Sequence, residues 1–227
     1  MERPVSKLPS FFICCKTTGP ITAALDWLEI LIVEFRAEAI IMLMGGINVE
    51  KILVKTGLSE KELLEKAYEI AFQGEKKYWG CSQSIMLPFI ELLGLNAEVL
   101  KGLTGMAGGI ASTTEGPCGA YIAGILCLGY FFGRDYNSLE NKQLIERPKE
   151  MILDFRNKFV EHYGSCICKE IHQNIFGRTF DLNCEEGWEE FETAGAHDDK
   201  CTGVVGKAAM WVMDILIDAA KNVPKEE

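Results

Sequence analysis

The stretch EGPCGAYIAGILCLGYFFG, residues 115–133, decides the fold. A proline and a glycine flank Cys118, and an almost unbroken apolar run follows from Ala120 to Phe132. An apolar run that begins after a proline and ends at a glycine predicts a buried helix. At about 14 residues this helix is too short to span a bilayer, so we expect it to lie in the centre of the protein.

Helical periodicity also covers most of the chain on either side of this stretch. Ser59 and Glu62 fit a capping box, and apolar residues then recur at helical spacing as far as Gly74. Residues 102–119 carry six glycines and are predicted to form a loop. Further helices are predicted over 81–93, where a proline at 88 should kink or split the helix, and over 148–164, 166–176 and 201–222.

No segment alternates apolar and polar residues over the length of a strand, and no internal repeat is present. The sequence therefore predicts an all-α fold, a compact bundle of about six to seven helices around the buried helix after Cys118. Residues 45–227 are interpreted as one helical domain. Residues 1–44 fit this pattern poorly, and we interpret them either as upstream read-through or as an extra N-terminal helix over 21–44.

The charge of the chain excludes several classes of partner. Among its 227 residues, 33 acidic side chains outnumber 23 basic ones, which gives a formal charge of −10. Proteins that bind nucleic acid or acidic lipid surfaces normally carry basic patches, so we expect neither partner. No transmembrane helix or secretory signal is recognisable, which predicts a cytoplasmic protein whose nine cysteines stay reduced unless they bind metal or catalyse redox steps.

Three cysteines share one local context. Cys81 follows a glycine, Cys118 follows a Gly-Pro pair, and Cys201 follows an acidic loop, and each precedes an apolar helix. A helix N-terminus offers free N–H groups and the positive end of the helix dipole, which favour the thiolate that binds metal or attacks disulfides. Small residues after Cys118 and Cys201 would let two helix starts meet around an anionic metal–sulfur cluster. The alternative is that these are ordinary buried cysteines.

A fourth candidate ligand lies in SCICKEIH, residues 165–172. Cys168 and His172 are four residues apart and share one helical face, whereas Cys166 points elsewhere. We select Cys168 as the ligand, with Cys166 in reserve and His172 as an alternative or supporting ligand. The remaining cysteines are assigned no functional role: Cys127 to the core, and Cys14, Cys15 and Cys184 without supporting context.

Several common motifs are absent from the chain. It contains no C-x-x-C pair, which excludes thioredoxin-type dithiols, zinc ribbons and the bacterial ferredoxin pattern, and no C-x-x-C-H haem site. The glycine cluster GMAGG, residues 105–109, lacks both the Lys-Ser/Thr ending of a phosphate loop and the spacing of a dinucleotide fingerprint.

The order and spacing of the cysteines resemble the C_GCAxxG_C_C family, small helical redox-active proteins of bacteria and archaea. The family has four characteristic cysteines, one of them in a Cys-Gly-Ala-x-x-Gly motif. The matching stretches cover roughly residues 62–220: GEKKYWGCSQSIM at 74–86, GMAGGIASTTEGPCGAYIAG at 105–124, CKEI at 168–171 and CTGVVGKAAMWV at 201–212. The closing glycine of the motif falls at Ala123 here, with Gly124 next, which narrows the helix contact but removes no ligand.

The resemblance implies a redox role. The domain is also similar to the N-terminal part of split-Soret cytochromes, which carries an iron–sulfur centre. On this basis Cys81, Cys118, Cys168 and Cys201 are predicted to bind one [2Fe–2S] or [4Fe–4S] cluster in an electron-transfer protein or oxidoreductase component. Backbone N–H groups of the glycine-rich segment, with Gly108, Gly109 and Gly119 as the predicted contacts, would point towards the cluster.

Two other functions stay open at this point. A cluster-free thiol–disulfide protein or sensor would cycle paired thiols between dithiol and disulfide. A structural zinc protein would close a tetrahedral site with four thiolates, although the spacings of 37, 50 and 33 residues are too wide for a compact zinc knuckle.

Two protein partners are also predicted. Residues 181–199 carry eight acidic side chains and no Lys or Arg, and this segment is either a solvated loop or a docking surface for a basic redox partner. A homodimer surface is a further prediction, from small-residue helix faces together with Phe131, Trp188 and Trp211.

Overall fold

The structure is a computed structural model that describes residues 56–221, so the predictions made for residues 1–44 lie outside the described residues. Over 56–221 the regular structure is helical, with one isolated antiparallel bridge between Pro117 and Ile167 and no strand. The predicted all-α fold is confirmed. In chain order the helices are α1 Glu60–Tyr78, α2 Cys81–Ser84, α3 Leu87–Leu93, α4 Val99–Leu103, α5 Gly119–Phe132, α6 Glu146–Tyr163, α7 Cys168–Phe176, α8 Glu185–Thr193 and α9 Cys201–Lys221.

Helix α1 begins at the predicted capping box but ends later than predicted. The Ser59 side chain accepts a bond from the N–H of Glu62, and the Glu62 carboxylate accepts one from the N–H of Ser59. Gly74 does not stop the helix, which continues to Tyr78. A Cβ at Gly74 would lie 2.4 Å from Leu87 Cδ1, so this glycine permits a close approach of α3.

The segment after α1 follows its sequence pattern closely. Pro88 lies in the first turn of α3 and separates it from the short helix α2, as predicted. Gly94 then ends α3 in the left-handed conformation. The loop predicted for 102–119 is helical in its first part, because α4 and a 3₁₀ turn at Thr104–Met106 occupy residues 99–106.

Helix α5 is the buried central helix expected from its sequence. Cys118 caps its N-terminus and Gly133 its C-terminus, and Ala120, Ala123 and Leu128 are fully buried. A close contact with α6 falls one residue beyond Ala123: a Cβ at Gly124 would lie 2.6 Å from the Phe155 ring. The shift of the motif glycine to position 124 therefore leaves room for this packing.

Helices α1, α5, α6 and α9 enclose the main core, and the functional site lies at one end of them. Helix α9 packs along α1, where a Cβ at Gly206 would lie 2.9 Å from the Tyr68 ring. No helix of the described range 56–221 combines the length and apolarity needed to cross a membrane.

Residues 185–193 form a helix where we considered only a loop. The Cys184 side chain accepts a bond from the N–H of Gly187, and acidic residues occupy the first turn, where the helix dipole favours them. Trp188 and Phe191, three residues apart, turn inwards. A π turn, Ala196–Lys200, then leads directly into α9.

Candidate functional site

Four helix starts bring the predicted cysteine ligands to one cavity. Cys81, Cys168 and Cys201 are the first residues of α2, α7 and α9, and Cys118 caps α5. All four line the same cavity of about 60 Å³. One water molecule needs about 10–15 Å³ of such a cavity volume, so this cavity has room for about four to six water-sized atoms.

A short antiparallel bridge ties the starts of α5 and α7 together. The N–H of Cys118 donates to the carbonyl of Cys166 at 2.8 Å, and the N–H of Cys168 donates to the carbonyl of Gly116 at 3.0 Å. The backbone thereby fixes two of the four cysteines relative to each other.

Two glycines bring backbone to the Cys81 sulfur. A Cβ at Gly119 would lie 2.3 Å from Cys81 Sγ, so only glycine fits at this position. The N–H groups of Gly108 and Gly119 both donate hydrogen bonds to Cys81. Gly108 and Gly119 are two of the three glycines that we predicted as backbone contacts of a cluster, and that role stays a prediction.

The segment Gly108–Ser112 forms a left-handed turn beside the cavity. Its five consecutive φ angles are 61°, 70°, 69°, 50° and 60°, and three of the residues (Ile110, Ala111 and Ser112) are not glycine. Left-handed backbone costs a non-glycine residue roughly 1–2 kcal/mol. Gly109 is required on steric grounds as well, because its Cβ would lie 2.7 Å from Cys168 Cβ.

Burial keeps the four thiols protonated. It raises the pKa of Cys118 and of Cys168 to about 12, and that of Cys81 and Cys201 well above the usual value for a thiol. Hydrogen bonds from backbone N–H groups lower the pKa of Cys81 and Cys118, but they do not outweigh burial. Our expectation that helix N-termini would hold thiolates is therefore wrong for the chain without a metal.

Cys201 differs most from the expectation that these cysteines lie at free helix N-termini. Its own N–H donates to the carbonyl of Ala196 through the π turn, so it does not lie at a free helix N-terminus. Electrostatic repulsion from Cys118, when that thiol is ionised, and from Glu75 adds to burial in raising the pKa of Cys201. Because acidic residues precede Cys201, we predicted a loop there and missed this helical turn.

His172 lies in the cavity, whereas Cys166 does not line it. Nε2 of His172 lies 3.6 Å from Cys168 Sγ and 4.0 Å from Cys201 Sγ, and burial lowers the pKa of the imidazole to about 4. The neutral ring is therefore placed to support or replace a thiol ligand. Cys166 instead forms a hydrogen bond with the Tyr121 side chain.

Sequence reasoning missed a buried acid at the site. Glu75 lines the cavity with only 3% of its surface exposed, and its Oε1 lies 3.5 Å from Nε2 of His197. The other ring nitrogen of His197 bonds to Glu192. Two lysines follow Glu75 in the sequence, so nothing in the local pattern distinguished it from a solvent-facing residue.

The arrangement of the four cysteines bears on which kind of metal group the cavity could hold. Within 56–221, no three His, Cys, Asp or Glu side chains are arranged to hold a single ion. Around one zinc, with Zn–S bonds of about 2.3 Å, sulfurs lie only about 3.8 Å apart, whereas a cluster places irons and sulfides between its ligands. The cavity lining contains four cysteines and no Lys or Arg side chain.

Residues 79–215 match one family model, described as "Putative redox-active protein (C_GCAxxG_C_C)". All four cysteines of the cavity lie within this span. No curated protein and no solved structure matches the chain. Because the family match covers more than half of the sequence, the chain belongs to the C_GCAxxG_C_C family of redox-active proteins, as its cysteine motifs predicted.

Proposed function

We propose that Cys81, Cys118, Cys168 and Cys201 bind one iron–sulfur cluster and that the protein transfers electrons. The observation that carries this proposal is that four separate helices deliver these side chains to one cavity. When bound, the cluster supplies a site that accepts and releases one electron. The N–H groups of Gly108 and Gly119, which reach Cys81, would stabilise the negative charge of a ligating sulfur.

The high pKa values of the thiols favour a metal over free thiol chemistry. A disulfide-exchanging cysteine needs an accessible thiolate, usually with a lowered pKa, whereas burial raises the pKa of all four thiols here. A bound metal supplies the positive charge that removes the thiol protons. The same sulfurs that are unreactive without iron would therefore be thiolates with it.

Iron and sulfide quantitation on anaerobically prepared protein tests the proposal. We expect a brown protein with stoichiometric iron and acid-labile sulfide, and an electron paramagnetic resonance signal in one of its oxidation states. Cys118→Ser should lose the visible absorption. Cys127→Ser is the matched control, since Cys127 is fully buried on α5 but does not line the cavity. Colourless, iron-free protein from iron-replete anaerobic expression would overturn the proposal.

We further propose that the acidic face of α8 docks a basic redox partner. Glu185, Glu186 and Glu189 are exposed on this helix, while its inward residues Trp188 and Phe191 line the cavity. Negative charge therefore covers the outer face of a helix whose inner face lines the cavity, and opposite charge on a partner would accelerate docking.

Ionic strength gives the test for this docking surface. Electron transfer to hexaammineruthenium, a small cationic one-electron carrier, should slow as salt is raised. The double variant Glu186→Lys/Glu189→Lys should weaken this salt dependence, while Glu161→Lys on α6 should leave it unchanged. Equal salt dependence in all three proteins would contradict the docking surface.

A further inference from the structure

Glu75 presents an unpaired carboxylate oxygen inside the protein. The residue lies in the last turns of α1 and lines the cysteine cavity. Its Oε2 is buried and has no hydrogen-bond partner among residues 56–221, the cysteine sulfurs included. Burying an unpaired carboxylate oxygen lowers the stability of the folded protein. Core packing therefore does not explain why Glu75 lies here, which points to a functional role.

His197 connects this carboxylate to the protein surface. Its Nε2 lies 3.5 Å from Glu75 Oε1, and its Nδ1 is hydrogen-bonded to Glu192 Oε1. The Glu192 side chain is 31% exposed, against 8% for His197 and 4% for Glu75. These three side chains form a continuous line of proton-carrying groups from solvent to the cavity.

Aromatic rings hold the imidazole in this line. The Trp79 ring stacks on His197 at a centroid distance of 5.6 Å, and the rings of Trp188 and Phe191 lie at 5.8 Å and 5.7 Å. These three contacts restrict rotation of the imidazole, which keeps one nitrogen towards each carboxylate. A proton can therefore enter at Nδ1 and leave from Nε2 without rotation of the ring.

No Lys or Arg side chain lines the cavity to balance added negative charge. Lys76, the neighbour of Glu75, pairs instead with the exposed carboxylate of Asp198 at 3.3 Å. Because His197 is already shared with Glu192, an added proton is needed if the side chains of this region are to balance a second negative charge. The titratable groups that face Glu75 or share its cavity are Glu192, His197, His172 and the thiols of Cys81, Cys118, Cys168 and Cys201.

We propose that Glu192, His197 and Glu75 form a proton relay, through which Glu75 takes up one proton when the cavity gains one electron. The electron comes from a one-electron donor protein, which is oxidised, and it reduces the group held by the cysteines. The proton comes from water through Glu192, crosses the imidazole of His197 and ends on Glu75. One negative and one positive charge enter together, so the net charge of the buried region is unchanged. This inference rests on the proposed function, since it requires a reducible group in the cavity.

The pH dependence of the reduction potential tests the relay. With one proton taken up per electron, the midpoint potential of the wild-type protein should fall by about 59 mV for each tenfold drop in proton concentration. Glu75→Gln, which keeps the shape but cannot take up a proton, should make the potential independent of pH. Glu69→Gln is the matched control, because Glu69 lies on α1 but is exposed and bonded to Gln73. It should keep the wild-type slope.

Infrared difference spectra give a second readout. Reduction should produce the carbonyl band of a protonated carboxylic acid, which shifts in heavy water and is missing from Glu75→Gln. A protein that contains iron and sulfide but shows a pH-independent potential and no such band would overturn the relay and leave the cluster intact. Protein without any reducible group would overturn the relay and the cluster together.

Discussion

Gly119 brings backbone close to a sulfur of the site. It follows Cys118 in the motif, yet its steric partner is Cys81, 2.3 Å from the position of an added Cβ. The same Cβ would lie 3.0 Å from the backbone nitrogen of Ser82 and 3.1 Å from the carbonyl oxygen of Met106. Gly119 follows Cys118 in the sequence, but the residue that requires it to be glycine is Cys81.

Gly119→Ala should disrupt the site, because the methyl group meets backbone atoms that cannot rotate away. We expect a loss of about 1–3 kcal/mol in the free energy of unfolding and the loss of iron binding. Gly203→Ala is the control: Gly203 lies two residues after Cys201, and its Cβ would meet nothing within 4 Å. Denaturant titration and iron analysis measure both effects. Wild-type stability and iron content in Gly119→Ala would contradict this account.

His197 should make the stability of the metal-free protein depend on pH. Burial alone would lower its pKa, but Glu75 and Glu192 outweigh burial and raise it above 6.5. The folded state then holds a proton that the unfolded state releases. This stabilisation is complete below pH 6.5 and is lost as the pH rises through the folded-state pKa, by up to about 1.4 kcal/mol per pH unit.

Denaturant unfolding across this pH range measures the contribution of His197. His197→Gln should flatten the fall in stability above pH 6.5. His162→Gln should leave it unchanged, since burial and Lys207 lower the pKa of His162 and move its titration below 6.5. If the free energy of unfolding still falls above pH 6.5 in His197→Gln, the fall arises from another titratable group.

Among individual residues, we could predict from the sequence those with a rare side chain, but not those whose role depends on the folded structure. Cys81, Cys118, Cys168 and Cys201 could be selected because thiols are rare and their contexts repeat. Glu75 could not, because a glutamate between a glycine and two lysines is typical of a solvent-facing helix surface. Its burial arises from the π turn that carries His197, a tertiary contact that no local pattern encodes.

The left-handed turn Gly108–Ser112 is the most strained element of the site. Ala111, at φ 50°, is exposed, so no packing contact repays its strain. The cost is instead offset by the position the turn gives to Gly108 and Gly109 against the cysteines. This element favours the geometry of the site over the stability of the loop.

Ala111→Gly should therefore stabilise the protein. Glycine removes roughly 1–2 kcal/mol of left-handed strain but adds about 0.4–1 kcal/mol of unfolded-state entropy, leaving a net gain of up to about 1.6 kcal/mol. Ala97→Gly is the matched control: Ala97 is also exposed, but it is not among the residues with positive φ, so it should lose stability. Thermal unfolding distinguishes the two. Destabilisation of both variants would show that the turn is not strained.

Among the elements, those with clear boundary residues were predictable and α8 was not. Pro88, Gly94 and Gly133 each mark a boundary by a local backbone rule, and the structure follows them. Helix α8 is capped by the Cys184 thiol, an unusual cap, and it carries a run of acidic residues that reads as a loop. Its inward Trp188 and Phe191, at helical spacing, were the available signal.

The fold of residues 56–221 depends on the cavity because four helices begin there. A group bound by all four cysteines would link α2, α5, α7 and α9, which are otherwise held by packing and by one backbone bridge. Any group that binds only the folded state stabilises it by mass action.

Removing iron should therefore lower the thermal midpoint of the protein. It should also raise tryptophan fluorescence, because Trp79 and Trp188 line the cavity and lie close enough for a bound cluster to quench them. In Cys118→Ser, chelation should change neither quantity, whereas Cys127→Ser should behave as the wild type. Equal midpoints for the iron-loaded and iron-free wild-type protein would count against a group shared by the four helices.

The bridge between Pro117 and Ile167 has a consequence for engineering the chain. It closes the base of a helical hairpin, α5 and α6, whose connecting segment 134–145 is largely exposed. Helix α5 has 14 residues, so this connection lies about 20 Å from the sulfurs. A fluorophore or affinity tag inserted between Asn137 and Asn141 would thus give a handle on the protein that leaves the redox site untouched.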